Sequence, residues 1–184
     1  LIQSLTINLK TALYNQLVGL ALVQEAQGDK SKAQSLRATA GAMQALKAPS
    51  KDSIEKTLKA VNDNPVNREG LAKVRDEEGK KKIAQAQAHM SIVILYDGLA
   101  IASAGALIAG GLKGGDAIAN LPALLDAAQT VMTTLPAQTT NAKKFDEALK
   151  SYMAENNVPT LSSNEKAALA KKTDPNAAKQ AANF

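Results

Sequence analysis

The chain holds one histidine, His89, and no cysteine or tryptophan. The missing thiol removes disulfides, thiolate catalysis and thiolate metal sites. An imidazole at work in catalysis needs a nucleophile and an orienting partner, and no spacing around "AQAHMSIV" identifies either. A carboxylate-bridged metal pair in a helical bundle takes two Glu-x-x-His elements, which a single histidine cannot supply. We therefore expect no catalytic residue, no metal site and no cofactor, and read His89 as a structural or surface residue.

Asp97 is the sharper residue. It is the one Asp, Glu, Lys or Arg in "MSIVILYDGLAIASAGALIAGGL", residues 90–112. A carboxyl in such surroundings has to be paired, hydrogen-bonded, protonated or beside water. Two roles fit. Asp97 could contact a ligand beside Tyr96 in an apolar cavity, or it could serve as a buried acceptor for a neighbouring helix. The second is favoured, because one carboxylate without partners defines no reaction. The candidate polar or ligand-contact residues are thus Asp97, Tyr96 and His89. "GGLKGGD" has the glycines of a phosphate loop but no preceding strand, so it reads as a connector between helices, with Asp116 as a cap.

Residues 90–112 are long enough to cross a bilayer. Their Ile, Val and Leu side chains favour insertion by roughly 4 kcal/mol in total, whereas a central aspartate opposes it by about 2.5 to 3.5 kcal/mol. The glycines erode what is left, so insertion is marginal. Gly98, Ala102, Ala106 and Gly110 recur every four residues, a ridge on which another helix can pack closely. Ile94, Ile101 and Ile108 supply bulk. We expect a buried, Ala/Gly-rich central helix over about 83–112.

The elements around it read as helices. Ile2, Leu5, Leu9, Leu13, Leu17 and Leu20 keep one helical face. Gly28 suits a left-handed C-terminal cap, and Asp29 can cap a second helix over 30–47 that ends before Pro49. This Gly-Asp turn resembles the joint of a tetratricopeptide repeat. The pattern does not recur near the required period of about 34 residues, so an ordinary hairpin is expected. Asp52 and Glu55 predict a capping box for a third helix that stops at "NDNP". From Asn67 to Leu112 a straight helix would be about 65–70 Å long, which exceeds a compact domain, so a break near Gly70 or Gly79 is expected. "RDEEGKKK" predicts the pairs Asp76–Lys80, Glu77–Lys81 and Glu78–Lys82 on a solvated face. Helices over 120–135 and 140–156, divided at Pro136, and a last one near 163–172 capped by Ser162 and Glu165, complete the set.

No stretch alternates with period two. The expectation is an all-α, single-domain bundle of six or seven helices over 1–172, with 173–184 a disordered tail. Hydrophobic residues make up 45% and aromatics 3% of the chain, and the net charge is +5. The basic excess is scattered and lacks stacking aromatics, so nucleic acid is not an expected partner. Composition and the absent initiator Met suggest a protein exported by a bacterium, periplasmic or secreted and soluble. It would be non-enzymatic, with a role in protein interaction or envelope structure. The alternative is binding of lipid or another apolar ligand, or membrane activity through residues 90–112.

Overall fold

A computed structural model of the chain describes residues 2–110 and 121–173. It contains α1 (Ile2–Ala26), α2 (Lys30–Ala45), α3 (Lys51–Asn62), α4 (Arg68–Leu71), α5 (Glu77–Gly110), α6 (Leu121–Glu155) and α7 (Ser163–Thr173), with no strand among the described residues. The protein is an all-α helical bundle, as its periodicity predicts. The connector with Asp116, positions 111 and 112 of the expected central helix, and tail residues 174–184 lie outside the described residues.

The leucine stripe of α1 organises the bundle. Leu5, Leu9, Leu13, Leu17 and Leu20 are completely buried. Each such side chain contributes about 1.5–3 kcal/mol. Leu5, Leu9 and Leu13 pack with Met43, Ile54, Leu107, Val131 and Leu135 at one end. Leu17, Leu20 and Val23 pack with Leu36, Ile83, Met90 and Leu149 at the other. α1 and α5 run antiparallel, since Asn15 bonds His89 and Asn8 bonds Ser103. They approach closely at Gly19, where an added Cβ would lie 2.6 Å from Met90 Cε and 3.3 Å from His89 Cβ.

The caps follow local chemistry. Gly28 takes φ 88°, and the Gly28 and Asp29 amides donate to the Glu25 and Gln24 carbonyls at 3.0 and 2.9 Å. This closes α1 in a Schellman turn. The Asp29 side chain accepts from the Lys32 amide and starts α2. The Lys10 ammonium donates to Gln44 O at 2.8 Å, and to Leu46 O as well, so α1 also supplies the cap that closes α2. Ser162 and Glu165 form the expected capping box of α7.

Several expectations are corrected. The capping box of α3 uses Ser50 and Ser53, not Asp52 and Glu55. Serine at the cap accepts from the third amide and lets its partner reach back. Asp76 caps α5 by accepting from the Gly79 amide at 2.8 Å, so it does not pair with Lys80. Lys80 bonds Glu77 instead, and only Glu78–Lys82 keeps the predicted spacing. The long helix does break between Gly70 and Gly79, where residues 72–76 separate α4 from α5. Tyr152 holds this break by donating to Val74 O at 2.5 Å.

Pro136 does not end a helix: α6 runs unbroken for 35 residues with Pro136 inside it. Proline there removes one backbone bond and crowds the preceding turn. The fully buried Leu135 and Ala142 on either side hold the helical path, because burial of a helix face outweighs local propensity. Two outcomes follow. Pro136→Ala should raise unfolding stability by about 1–3 kcal/mol, measured by urea denaturation. The slowest-exchanging amides should be those of α1 around Leu13–Val23, where both faces are covered. Slower exchange in the second half of α5 would contradict this arrangement of the core.

Candidate functional site

Polar side chains of α1, α5 and α6 are buried in the largely apolar interior, among them Asn15, Gln16, Gln87, His89, Asp97, Gln138 and Asp146. Gln87 Nε2 donates to Asp146 Oδ1 at 2.9 Å, and Lys150 pairs with the other carboxylate oxygen at 2.8 Å. The Gln87–Asp146 bond joins α5 to α6, and Lys150, one turn along α6, holds the Asp146 carboxylate in place.

His89 is 3% exposed. The Asn15 amide donates to Thr11 O at 2.8 Å, which turns Asn15 Oδ1 toward His89 Nδ1, also at 2.8 Å. That orientation assigns the imidazole proton to Nδ1. Burial, helped by the positive charge of Arg37, pushes the His89 pKa down to about 4. The ring is therefore neutral at neutral pH, tied to α1, and structural in its contacts.

Asp97 is completely buried. Its Oδ2 lies 3.2 Å from Thr139 Oγ1, while Thr139 also donates to Leu135 O at 2.9 Å. A threonine hydroxyl has one hydrogen to give. When that hydrogen goes to the closer Leu135 carbonyl, the Asp97 carboxyl has to donate to Thr139, which requires its protonated form. Burial pushes the Asp97 pKa up to about 7, with a charge-stabilising bond from Thr139 acting against it. Asp97 Oδ1, Thr11 Oγ1 and Gln138 Nε2 are buried with no hydrogen-bond partner. Residue 11 falls between the two pairs that set the α1–α5 register and Gln138 precedes Thr139, so all three stand near one level of the bundle.

Tyr96 is half-buried. Its side chain diverges from that of Asp97, because adjacent helical residues do not share a face. His89 and Asp97 are eight residues apart on one helix, about 12 Å along the axis. The structure therefore brings none of the three candidates together into one constellation. Among the described residues no group of three or more His, Asp or Glu side chains could hold a metal ion. A cavity of about 640 Å³ lies elsewhere, where α7 faces the start of α5, lined by Glu77, Lys80, Lys81, Val158 and Lys172. None of the three candidates lines it.

The second half of α5 departs from the expected central helix. Up to Met90 it is densely buried, but beyond that one stripe alone faces inward: Val93, Asp97, Ala100, Ala104 and Leu107. The ridge expected to meet another helix points outward. Ala102 and Ala106 are exposed, and a Cβ added at Gly98 or Gly110 would meet nothing within 4 Å. On this outer side Leu95 is 59% and Leu99 42% exposed. Leu125 and Met132 of α6 continue the apolar face, with Met132 against Gly105. Asp97 is the one Asp, Glu, Lys or Arg over 83–110, and Asp126 the one over 121–142. Leu95, Leu99, Ala102, Ala106 and Ala109 keep a second seam at spacings of four and three, opposite the buried one, and periodicity alone does not tell the two apart. Comparison with protein families, with characterised proteins and with solved structures finds no match to this chain.

The two buried titratable groups shift in opposite senses. Asp97 has its folded pKa raised from 3.8 to about 7, so its contribution is complete below about pH 4 and is lost as pH rises to about 7. His89 has its folded pKa lowered from 6.5 to about 4, so its contribution is complete above about pH 6.5 and is lost as pH falls to about 4. Between these limits the two slopes cancel. Relative to wild type, Asp97→Asn should gain stability with rising pH across this window, by up to about 1.4 kcal/mol per pH unit. His89→Asn should show the opposite slope. Urea unfolding at a series of pH values reads both, and parallel wild-type and variant profiles would refute the assignment.

Proposed function

We propose that this protein is a non-enzymatic helical bundle that acts through protein contact, with a structural role in the cell envelope of the bacterium that exports it. The outer face of α5 and α6 carries this reading. Monomeric proteins rarely leave a broad contiguous apolar surface uncovered, and this one has no charged side chain along the Leu95–Ala109 seam. The buried polar side chains support a structural role, since Asn15–His89, Gln87–Asp146 and Asp97–Thr139 each tie one helix to another. The export assignment rests on the Ala-, Asn-, Gln- and Lys-rich, aromatic-poor composition.

A second reading is contact with lipid. α5 is the one helix among the described residues long and apolar enough to cross a membrane, with mean hydropathy 2.0 over its most apolar window and 28% of that window buried. The two readings differ in what touches Leu99. A photo-crosslinking amino acid placed at position 99 in living cells should give protein adducts, while one at the exposed Lys73, in the segment between α4 and α5, should not. Adducts with lipid alone would favour the second reading. Equal labelling from both positions would refute a dedicated face.

A further inference from the structure

We infer that the outer face of α5 pairs with the same face of a second copy, the two helices antiparallel about a two-fold axis at Ala102. This rests on the protein-contact reading above and names the partner.

The first observation is shape. The outer seam is Leu95, Leu99, Ala102, Ala106 and Ala109, bulky at one end and small at the other. When two such seams are laid antiparallel with Ala102 opposite Ala102, Leu95 falls opposite Ala109 and Leu99 falls level with Gly105, beside Ala106. Every large side chain then meets a small one, as knobs meet holes. A parallel arrangement would set leucine on leucine and leave the alanine end loose. An isologous interface requires this self-complementarity: residue i meets j, and j meets i. A sequence-unrelated partner imposes no such symmetry on the seam.

The second observation is charge. The chain carries +5 overall, so two copies repel wherever their basic surfaces meet. No basic or acidic residue occurs on the seam, and Asp97, the single acid in this half of α5, is turned inward and fully buried. Two copies can therefore meet here without confining like charges. On α6 the flanking Leu125, Gln129, Met132 and Pro136 are exposed and uncharged.

The third observation is area. Residues 95–109 extend about 21 Å along the helix. With α6 packed about 8–10 Å to the side, the face is roughly 20 Å across. Two such faces cover about 840 Å² in total, the size of a weak, concentration-dependent dimer. Small residues further favour a helix over lipid. They reduce the apolar area available to acyl chains, whereas they let a second backbone approach closely.

The absence of cysteine makes the test direct. Ala102→Cys should form a disulfide-linked dimer under mild oxidation at a concentration where sedimentation shows the unmodified protein to be paired. A mixture of Leu95→Cys and Ala109→Cys chains should give the mixed crosslink in preference to either self-crosslink. Ala102→Glu, which sets two carboxylates together on the axis, should weaken pairing about tenfold or more with the helical circular dichroism unchanged. Ala102→Ser should leave pairing intact. A protein that stays monomeric at all concentrations overturns the inference. So does a dimer that crosslinks 95 to 95 and 109 to 109, or one insensitive to Ala102→Glu. Flotation of the monomer with phosphatidylglycerol–phosphatidylethanolamine vesicles would overturn it in favour of lipid. Protein adducts at position 99 to a different chain, with no self-association, would leave the protein-contact reading standing and remove this one.

Discussion

The antiparallel contact between α1 and α5 is the constraint on which the remainder depends. At Gly19 the lack of a side chain lets His89 and Met90 approach the α1 backbone. The leucines of α1 reach both core clusters, which divide between Leu13 and Leu17. α2 is folded back by the Gly28 turn and closed by Lys10 of α1. α6 then lies along α5 in the register set by Gln87–Asp146 and Asp97–Thr139. These buried bonds do not interrupt the packing; they select one register out of the several that a smooth Leu/Ala surface would allow. Discrete buried hydrogen bonds serve this purpose where apolar contacts alone are permissive.

Much of the fold was legible from periodicity and from caps. The leucine stripe of α1, the Gly28 turn, the break between Gly70 and Gly79 and the Ser162 cap each depend on a few consecutive residues, so the local pattern suffices. The continuity of α6 through Pro136 was not legible, because it depends on Leu135 and Ala142 being buried by residues distant in sequence. The orientation of the second half of α5 is not legible for a related reason. A helix apolar on all sides carries no polar face to say which side is inward. Leu99 and Leu107 look equivalent in the sequence, and α1 and α6 alone distinguish them. Asp97 was the one marker of the inner side.

The candidate residues were legible as individuals and not as a group. A lone histidine and a lone aspartate in apolar sequence were bound to stand out. Their partners, Asn15 and Thr139, lie on other helices and are ordinary residue types, so no spacing rule points to them. The antagonistic titration of His89 and Asp97 follows from burial of both in one interior and is invisible without it.

The order of the helices along the chain has a consequence for synthesis. α1 is made before the other helices of the bundle, yet its side-chain bonds are to residues far downstream: Asn15 waits for His89, 74 positions later, and Asn8 for Ser103, 95 positions later. At typical elongation rates of about 5–20 residues per second, the leucine stripe stays uncovered for several seconds after it leaves the ribosome. The α1–α2 hairpin can close early through Gly28, but Leu5, Leu9 and Leu13 gain their partners on α5 and α6 later. A nascent chain of this design presents an apolar helix well before the helices that cover it are made. That is the kind of segment chaperones and targeting factors engage, so helix order alone gives such factors time to act before the bundle closes.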